Sequence, residues 1–378
     1  MQTRILILGS KEYPFGCGTD KIKSGGIESY TEGLAEEFGG KKDVEIVIIT
    51  RKFENQKSYE KNKNIEVYRV PWIRGFYFRN PSFNIHAFLK ALGLEFDVII
   101  AQGPVAVFFS IILSKFKKVK VIGRCAGISA SQPQYGGFLK KIFFYLERFV
   151  YGKADAVVFG SDEEKKQFEA KLKFLPGKTI VIPTGVKIPD VKEKCDSCNK
   201  IQVCFVGRLL EVKGVTYLIE AVGLLGQSFK DKIKILIVGD GPQRKALEEL
   251  VRRKHLGVIV EFAGHKSKQE CGRIMQESDI FVLPSVSEGL PLALLEAMAN
   301  RCACIVTNIG LPVKDKKDAL VVEAKNPGEL KNAIELLVGD KKLRDELGRN
   351  AFEKVKKDYS WEKAVEKYLG LVSGLRVV

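Results

Sequence analysis

Two successive arrays of short, continuously apolar runs, separated by stretches of helical spacing, constrain this chain more than any other feature. The first array places strand candidates at 4–8, 44–50, 65–70, 98–101, 119–122, 156–159 and 180–182. Helical patterns occupy 27–38, 105–116, 138–151 and 162–172. The pattern restarts with strand candidates at 201–206, 233–238, 258–262, 280–283, 304–306 and 320–322. Helical stretches follow at 327–337, at 341–357 and from Ser360 onward, the last carrying Trp361 and Tyr368. Strands that are apolar throughout are buried on both faces, as in a parallel sheet covered by helices. Each array therefore predicts a doubly wound α/β domain, whose ligands bind beyond the carboxyl ends of its strands. The stretch 183–200, with Pro183, Gly185, Pro189 and a charged tail, reads as a linker. The expected domains are 1–190 and 191–358, and the cleft between them is the default site.

Length and composition fit that division. A chain of 378 residues exceeds one compact core. With 45% hydrophobic and 29% charged residues it is globular in composition, not disordered. No apolar run reaches the length of a membrane span, and the N-terminus reads as a buried strand rather than a signal peptide, so a cytoplasmic location is expected. The eight cysteines are scattered, several inside apolar runs, as reduced core residues are. Cys195 and Cys198 form a Cys-x-x-Cys pair, but zinc would need further ligands, for which Cys302 and Cys304 are the candidates; a linker that carries thiols is the favoured reading. The formal charge is +16, and residues 51–153 hold 18 Lys/Arg against 6 Asp/Glu. Such a surface draws polyanions: nucleic acid, anionic lipid or phosphate-bearing substrates.

Three segments carry chemistry. In PSVSEGLPLALLEAM (284–298) a strand ends at Pro284, and Pro291 is placed as the first residue of a helix. The unpaired N–H groups at that helix start, with Gly289, form an anion site. Glu288 precedes the helix, and Glu296 stands within an otherwise apolar one, where a carboxylate is costly unless something hydrogen-bonds to it. Ribose hydroxyls are suitable partners. In CFVGRLLEVKG (204–214) a buried strand ends at Gly207, and Arg208 and Lys213 follow at its carboxyl end. One offers a planar fork for phosphate and the other a mobile point charge. Ser24, Gly25, Gly26, Ile27 and Glu28 open the first helix after a long loop, and the paired glycines leave room for a diphosphate. The Gly-x-Gly-x-x-Gly spacing of dinucleotide sites is absent.

In order along the chain stand Gly-Gly-Ile-Glu, IPTGV (182–186), FVGRLLEVKG, VGDGP (238–242) and the Glu-x7-Glu of Glu288 and Glu296. This ordered set resembles the retaining GT-B glycosyltransferases of family 4. The resemblance implies two Rossmann-like domains facing across a cleft, with the C-terminal helix, 359–378, packing back on the first. It implies retaining, metal-independent transfer of a hexosyl group from a nucleotide-diphosphate sugar, UDP- or GDP-linked, to a glycan or lipid-linked acceptor. No cofactor is implied beyond that donor substrate. Arg208 and Lys213 would hold the diphosphate and stabilise the leaving nucleotide in place of a metal. Glu288 would contact the transferred sugar, with the backbone of Gly289, Leu290, Pro291 and Leu292 near sugar and phosphate. Glu296 would bind the ribose, Lys266 would lie near the base, and Gly26 would border the diphosphate.

The chain departs from that pattern twice. Ala126 stands where many members carry a His, and the loop at 309–313 lacks the usual second Gly and acid. A nucleotide-sugar-binding relative with weak or no activity, whose basic face binds an anionic partner, is the competing reading. No nucleic-acid motif is present. The aromatic, basic stretch 138–151 reads as core, whereas the loop from Trp72 to Arg79 suits a surface meeting anionic lipid at the cytosolic membrane face.

Overall fold

The computed structural model describes residues 2–14, 26–75, 78–125, 127, 137–173, 177–190, 200–288 and 290–376. They fold into two compact units, one of residues 1–185 with 361–378 and the other of 186–360. Both are α/β, each built on one predominantly parallel sheet with helices on both faces, as the GT-B resemblance implies.

The first unit is built on strands β1 (Thr3–Leu8), β2 (Val44–Arg51), β3 (Tyr59–Asn62), β4 (Ile65–Val70), β5 (Val98–Gln102), β6 (Lys120–Arg124), β7 (Ala156–Phe159) and β8 (Thr179–Val181). Their spatial order is β3-β4-β2-β1-β5-β6-β7-β8, parallel except for β3. Successive side chains of a strand point to opposite faces, and the two cores follow that rule. Leu6 and Leu8 meet α2 (Arg79–Leu92), α3 (Pro104–Lys117), α4 (Gly137–Lys153) and α5 (Asp162–Leu172) on one face. Ile5 and Ile7 meet α1 (Gly26–Gly39) and the C-terminal helix on the other. That last helix, Trp361–Arg376, is locked against α1. The Trp361 ring lies 5.2 Å from Tyr30, and the Tyr30 hydroxyl donates to that of Tyr368 at 2.8 Å. Gly33 and Gly185 make room for the indole: a Cβ on either would come within 2.1 Å and 2.5 Å of its atoms.

Two elements of this unit were not apparent in the sequence. Strand β3 is exposed along its whole length and pairs antiparallel at the sheet edge, so it lacks an apolar pattern. It is held by cross-strand ion pairs, Lys61 to Glu66 at 2.9 Å and Arg69 to Glu60 at 2.8 Å. Helix α2 buries Ser82 and Asn84 beside Phe83, Ala87 and Ala91, and these polar residues on the inner face break the apolar periodicity.

The second unit holds β9 (Ile201–Val206), β10 (Ile233–Val238), β11 (Val260–Gly264), β12 (Ile280–Leu283), β13 (Ala303–Thr307) and β14 (Leu320–Val322) in the all-parallel order β11-β10-β9-β12-β13-β14. Phe205, Ile235 and Ile237 face α6 (Val215–Leu224), α8 (Arg244–Arg253) and α11 (Pro327–Gly339). Cys204, Leu236 and Val238 face α9 (Lys268–Glu277), α10 (Leu292–Ala299) and α12 (Lys341–Asp358). A four-residue helix, α7 (Gln227–Lys230), precedes β10, and the C-terminal helix is α13. Strand order reverses between β9 and β12, so the loops after these two strands flank the crevice in which doubly wound sheets bind ligands.

Candidate active site

The loop after β9 and the loop after β12 are stitched together by a backbone bond from Val286 N–H to the Val212 carbonyl at 2.8 Å. Glycines permit this approach. Gly214, at φ 68°, has its Cα so near the Pro284 carbonyl oxygen that a Cβ would lie 1.9 Å from it. A Cβ on Gly239, at φ 133°, would likewise lie 1.9 Å from the Gly207 carbonyl oxygen, and one on Gly241 2.4 Å from that of Leu209. The VGDGP segment thus earns its glycines by letting the β10 loop lie on the β9 loop, where Leu209 N–H donates to the Asp240 carbonyl at 3.0 Å.

On this frame Lys213, in a short 3-10 turn at Glu211–Lys213, reaches Glu288 with Nζ–Oε1 at 2.5 Å. The same carboxylate oxygen accepts from Ser285 Oγ at 2.7 Å. Ser285 is fully buried, and its own carbonyl accepts from Thr307 Oγ1 at 2.5 Å. The chain β13–Ser285–Glu288–Lys213 therefore fixes a carboxylate and an ammonium at the carboxyl end of the sheet. Oε2 of Glu288 takes no protein donor among the described residues. Ser285 and Thr307 escaped the sequence reading; the signal was a pair of hydroxyl residues at the ends of fully apolar strands.

Arg208 lies just past the end of β9, exposed, and its side chain makes no ion pair or hydrogen bond among the described residues. A guanidinium held at a strand end with its donors open is suited to phosphate oxygens. Pro291 is the cap of α10 rather than its first helical residue, at φ −75° and ψ 108°. Its carbonyl accepts from Leu294 and Leu295, and the first-turn amides of Leu292 and Ala293 have no acceptor among the described residues. Leu290 is half-buried beside them, whereas Gly289 lies outside the described residues.

Glu296, one turn into α10, carries no hydrogen bond to its carboxylate among the described residues. Burial pushes its pKa up, only partly countered by Lys268. The Cys271 thiol on α9 is pushed up to about 11, first by burial and then by the Glu296 charge, which places the carboxylate against that helix. Lys266, just past β11, is half-buried and pairs with Glu270 at 3.5 Å. Arg208, Lys213, Lys266, Glu288, Leu290, Pro291, Leu292 and Glu296 thus all belong to the second unit, at the carboxyl side of its sheet.

Gly26 is the first residue of α1, in the first unit. Two residues on, Glu28 is buried and accepts from Lys11 N–H at 3.3 Å, tying the loop after β1 to the helix start. Ala126, Gly25, Cys195 and Cys198 lie outside the described residues. Cys302 and Cys304 are buried in the second unit's core and donate to backbone carbonyls, Cys302 to that of Met275 at 3.0 Å and Cys304 to that of Cys302 at 3.4 Å.

Residues 187–354 match the family described as "Glycosyl transferases group 1", and residues 24–188 match "Glycosyltransferase Family 4". An uncharacterised glycosyltransferase of Methanocaldococcus jannaschii is 30% identical over 90% of this chain and 92% of its own. A Campylobacter jejuni alpha-1,4-N-acetyl-D-galactosaminyltransferase, named for a PP-undecaprenol glycan, is 26% identical over 94% of this chain and 97% of its own. Among solved structures, sucrose-phosphate synthase from Thermosynechococcus elongatus superposes with TM-score 0.80 at 20% identity, covering 100% of both chains. The Anabaena protein HepE, in complex with UDP-glucose, superposes with TM-score 0.74 at 17% identity over 99% of this chain and 100% of that one.

Proposed function

The chain belongs to the group 1 glycosyltransferases, and from that premise we propose that its second unit binds a nucleoside-diphosphate sugar at the carboxyl ends of β9 and β12. It is a glycosyltransferase that delivers a sugar to a glycan or lipid-linked acceptor. The finer reading is retaining, metal-independent hexosyl transfer. The observation that carries it is the joined Lys213–Glu288–Ser285 contact, beside an Arg208 side chain and a helix start whose donors meet no acceptor among the described residues.

In this reading the diphosphate lies between Arg208, Lys213 and the amides of Leu292 and Ala293. Breaking the bond from anomeric carbon to phosphate oxygen leaves a nucleoside diphosphate with added negative charge. Two preorganised cations stabilise that charge where a divalent ion would otherwise serve. Glu288, already oriented by Ser285, presents Oε2 to hydroxyls of the transferred sugar. Glu296 accepts from ribose hydroxyls, which supply the donors its carboxylate lacks. The acceptor oxygen bonds to the anomeric carbon on the face the phosphate leaves, and its proton passes to the departing phosphate oxygen, which retains configuration.

HepE was solved with UDP-glucose, so that donor is the first to try. Transfer is assayed with UDP-, GDP- and ADP-sugars in excess EDTA, and the anomeric configuration of the product is read by proton NMR. Transfer in EDTA with an axial product from an axial donor supports the reading. An equatorial product, or activity only when a divalent metal is restored, overturns it.

A further inference from the structure

The helical layer α2, α3 and α4 of the first unit presents an outer surface that a water-facing layer would not carry. On α4, Phe138, Ile142, Tyr145 and Phe149 recur at helical spacing and are 77%, 45%, 69% and 51% exposed, with Lys141 exposed among them. The stretch expected to be core has instead turned a full apolar stripe outward, while Glu147 and Val150 point in and are completely buried. Helix α2 adds Ile85 and Leu89, and α3 adds Phe116 at 68% exposure. These are contiguous: the Phe88 ring on α2 lies 6.5 Å from that of Phe116. Beyond α4 the surface ends, because α5 has mixed charge and contributes no exposed large apolar side chain among the described residues. In the second unit exposed large apolar residues (Val212, Leu224, Val258, Leu336) are dispersed along the sequence.

The charge on this layer has one sign. The three helices hold eight Lys and Arg against a single acid, Glu147, which is buried. Glu95, exposed just after α2, pairs with Lys117 at 3.3 Å. In the loop first expected to meet lipid, Trp72 is partly buried, with the Arg51 guanidinium over its ring and its N–H donating to the Lys52 carbonyl, while Ile73 and Phe78 are exposed.

We propose that the outer face of α2, α3 and α4 seats on an anionic lipid bilayer. Aromatic and aliphatic side chains flanked by lysines, on helices lying in one layer, are the chemistry of an interfacial surface. A second copy of the chain is a poor occupant, because a two-fold contact would set lysine against lysine. Nucleic acid would engage the lysines but leave Ile85, Leu89 and Ile142 without a partner. The inference deepens the proposed reading, in which the acceptor is lipid-linked, by naming the surface that brings the chain to it.

The test is flotation of the full chain, without donor or acceptor, with vesicles of phosphatidylcholine alone or with about a third phosphatidylglycerol. Preferential binding to the anionic vesicles that weakens in high salt is expected. Each lysine near an anionic surface contributes roughly fivefold to partitioning, so Lys140→Ala with Lys141→Ala reduces binding roughly 25-fold. The combined Phe138→Ser, Ile142→Ser, Tyr145→Ser and Phe149→Ser variant abolishes it. Both variants keep the wild-type donor-induced thermal shift, a property of the second unit, which separates loss of this surface from misfolding and from failure of the donor reading. Equal binding to neutral and anionic vesicles overturns the proposal. So does no binding at all, binding of single-stranded RNA that both variants lose while vesicles are ignored, or a dimer that the serine variant dissociates.

Discussion

Glu296→Gln makes the protein more stable and a poorer binder of its donor, and the opposite signs come from one carboxylate. Its side chain is desolvated on α10 and has no protein donor among the described residues. A buried polar group left unsatisfied costs about 1–3 kcal/mol, more when charged. Partial burial favours the lower end, so removing the charge is worth about 1 kcal/mol, or roughly 2–4 °C in the melting of a unit of this size. The pH dependence follows from the raised pKa. A carboxyl whose folded pKa exceeds its unfolded value binds more protons folded than unfolded, so stability falls as pH rises through that interval. The advantage of the Gln variant is therefore full above the raised pKa and fades as acid neutralises Glu296. With donor present the order reverses. Hydrogen bonds to a charged group contribute about 1.5–3 kcal/mol, so affinity drops roughly 10- to 150-fold, read by thermal shift with and without nucleotide across pH 5–8. A Gln variant that melts below wild type at neutral pH and still binds nucleotide normally refutes the reasoning.

Arg208→Ala leaves melting within about 0.5 kcal/mol, since the side chain is exposed and makes no ion pair among the described residues, but lowers kcat roughly 100- to 1000-fold if it stabilises the leaving diphosphate. Gly239→Ala meets both a φ of 133° and a Cβ 1.9 Å from the Gly207 carbonyl oxygen; it costs at least about 2 kcal/mol, seen as a lower melting temperature of residues 186–360. Trp361→Ala removes the side chain that seals α13 on Tyr30, Gly33 and Gly185, and urea denaturation should show a loss of about 3–5 kcal/mol in the first unit.

The fold was legible because its information is one-dimensional. Strands such as β5 and β12 are buried at every position and announce themselves as apolar runs. What escaped was whatever a third element decides. Strand β3 is held by partners on β4, where Glu66 and Arg69 reach its charges. Helix α2 buries a serine whose Oγ accepts from Ile73 N–H at 2.9 Å, a contact no local pattern encodes. On α4 the periodicity is plain, but with apolar residues nearly all round, spacing cannot say which face is covered.

The candidate site divides similarly. Lys213 and Glu288 stand 75 residues apart, and their contact follows only once β9 and β12 are neighbours in the sheet. Glu296 was legible alone, as a carboxylate in an apolar helix, because the anomaly lies within a few residues. Ser285 and Thr307 were not, since a hydroxyl at a strand end is common and its partner comes from elsewhere.

The claim that the second unit holds a nucleoside-diphosphate sugar without metal is tested most directly by donor-induced thermal stabilisation in excess EDTA. At a hundred times its dissociation constant a bound donor adds about 2.7 kcal/mol, a rise of roughly 5–10 °C. The account predicts this rise for sugars of one base, undiminished by EDTA and lost in Arg208→Ala. A rise that needs a divalent ion, or that survives Arg208→Ala unchanged, contradicts it.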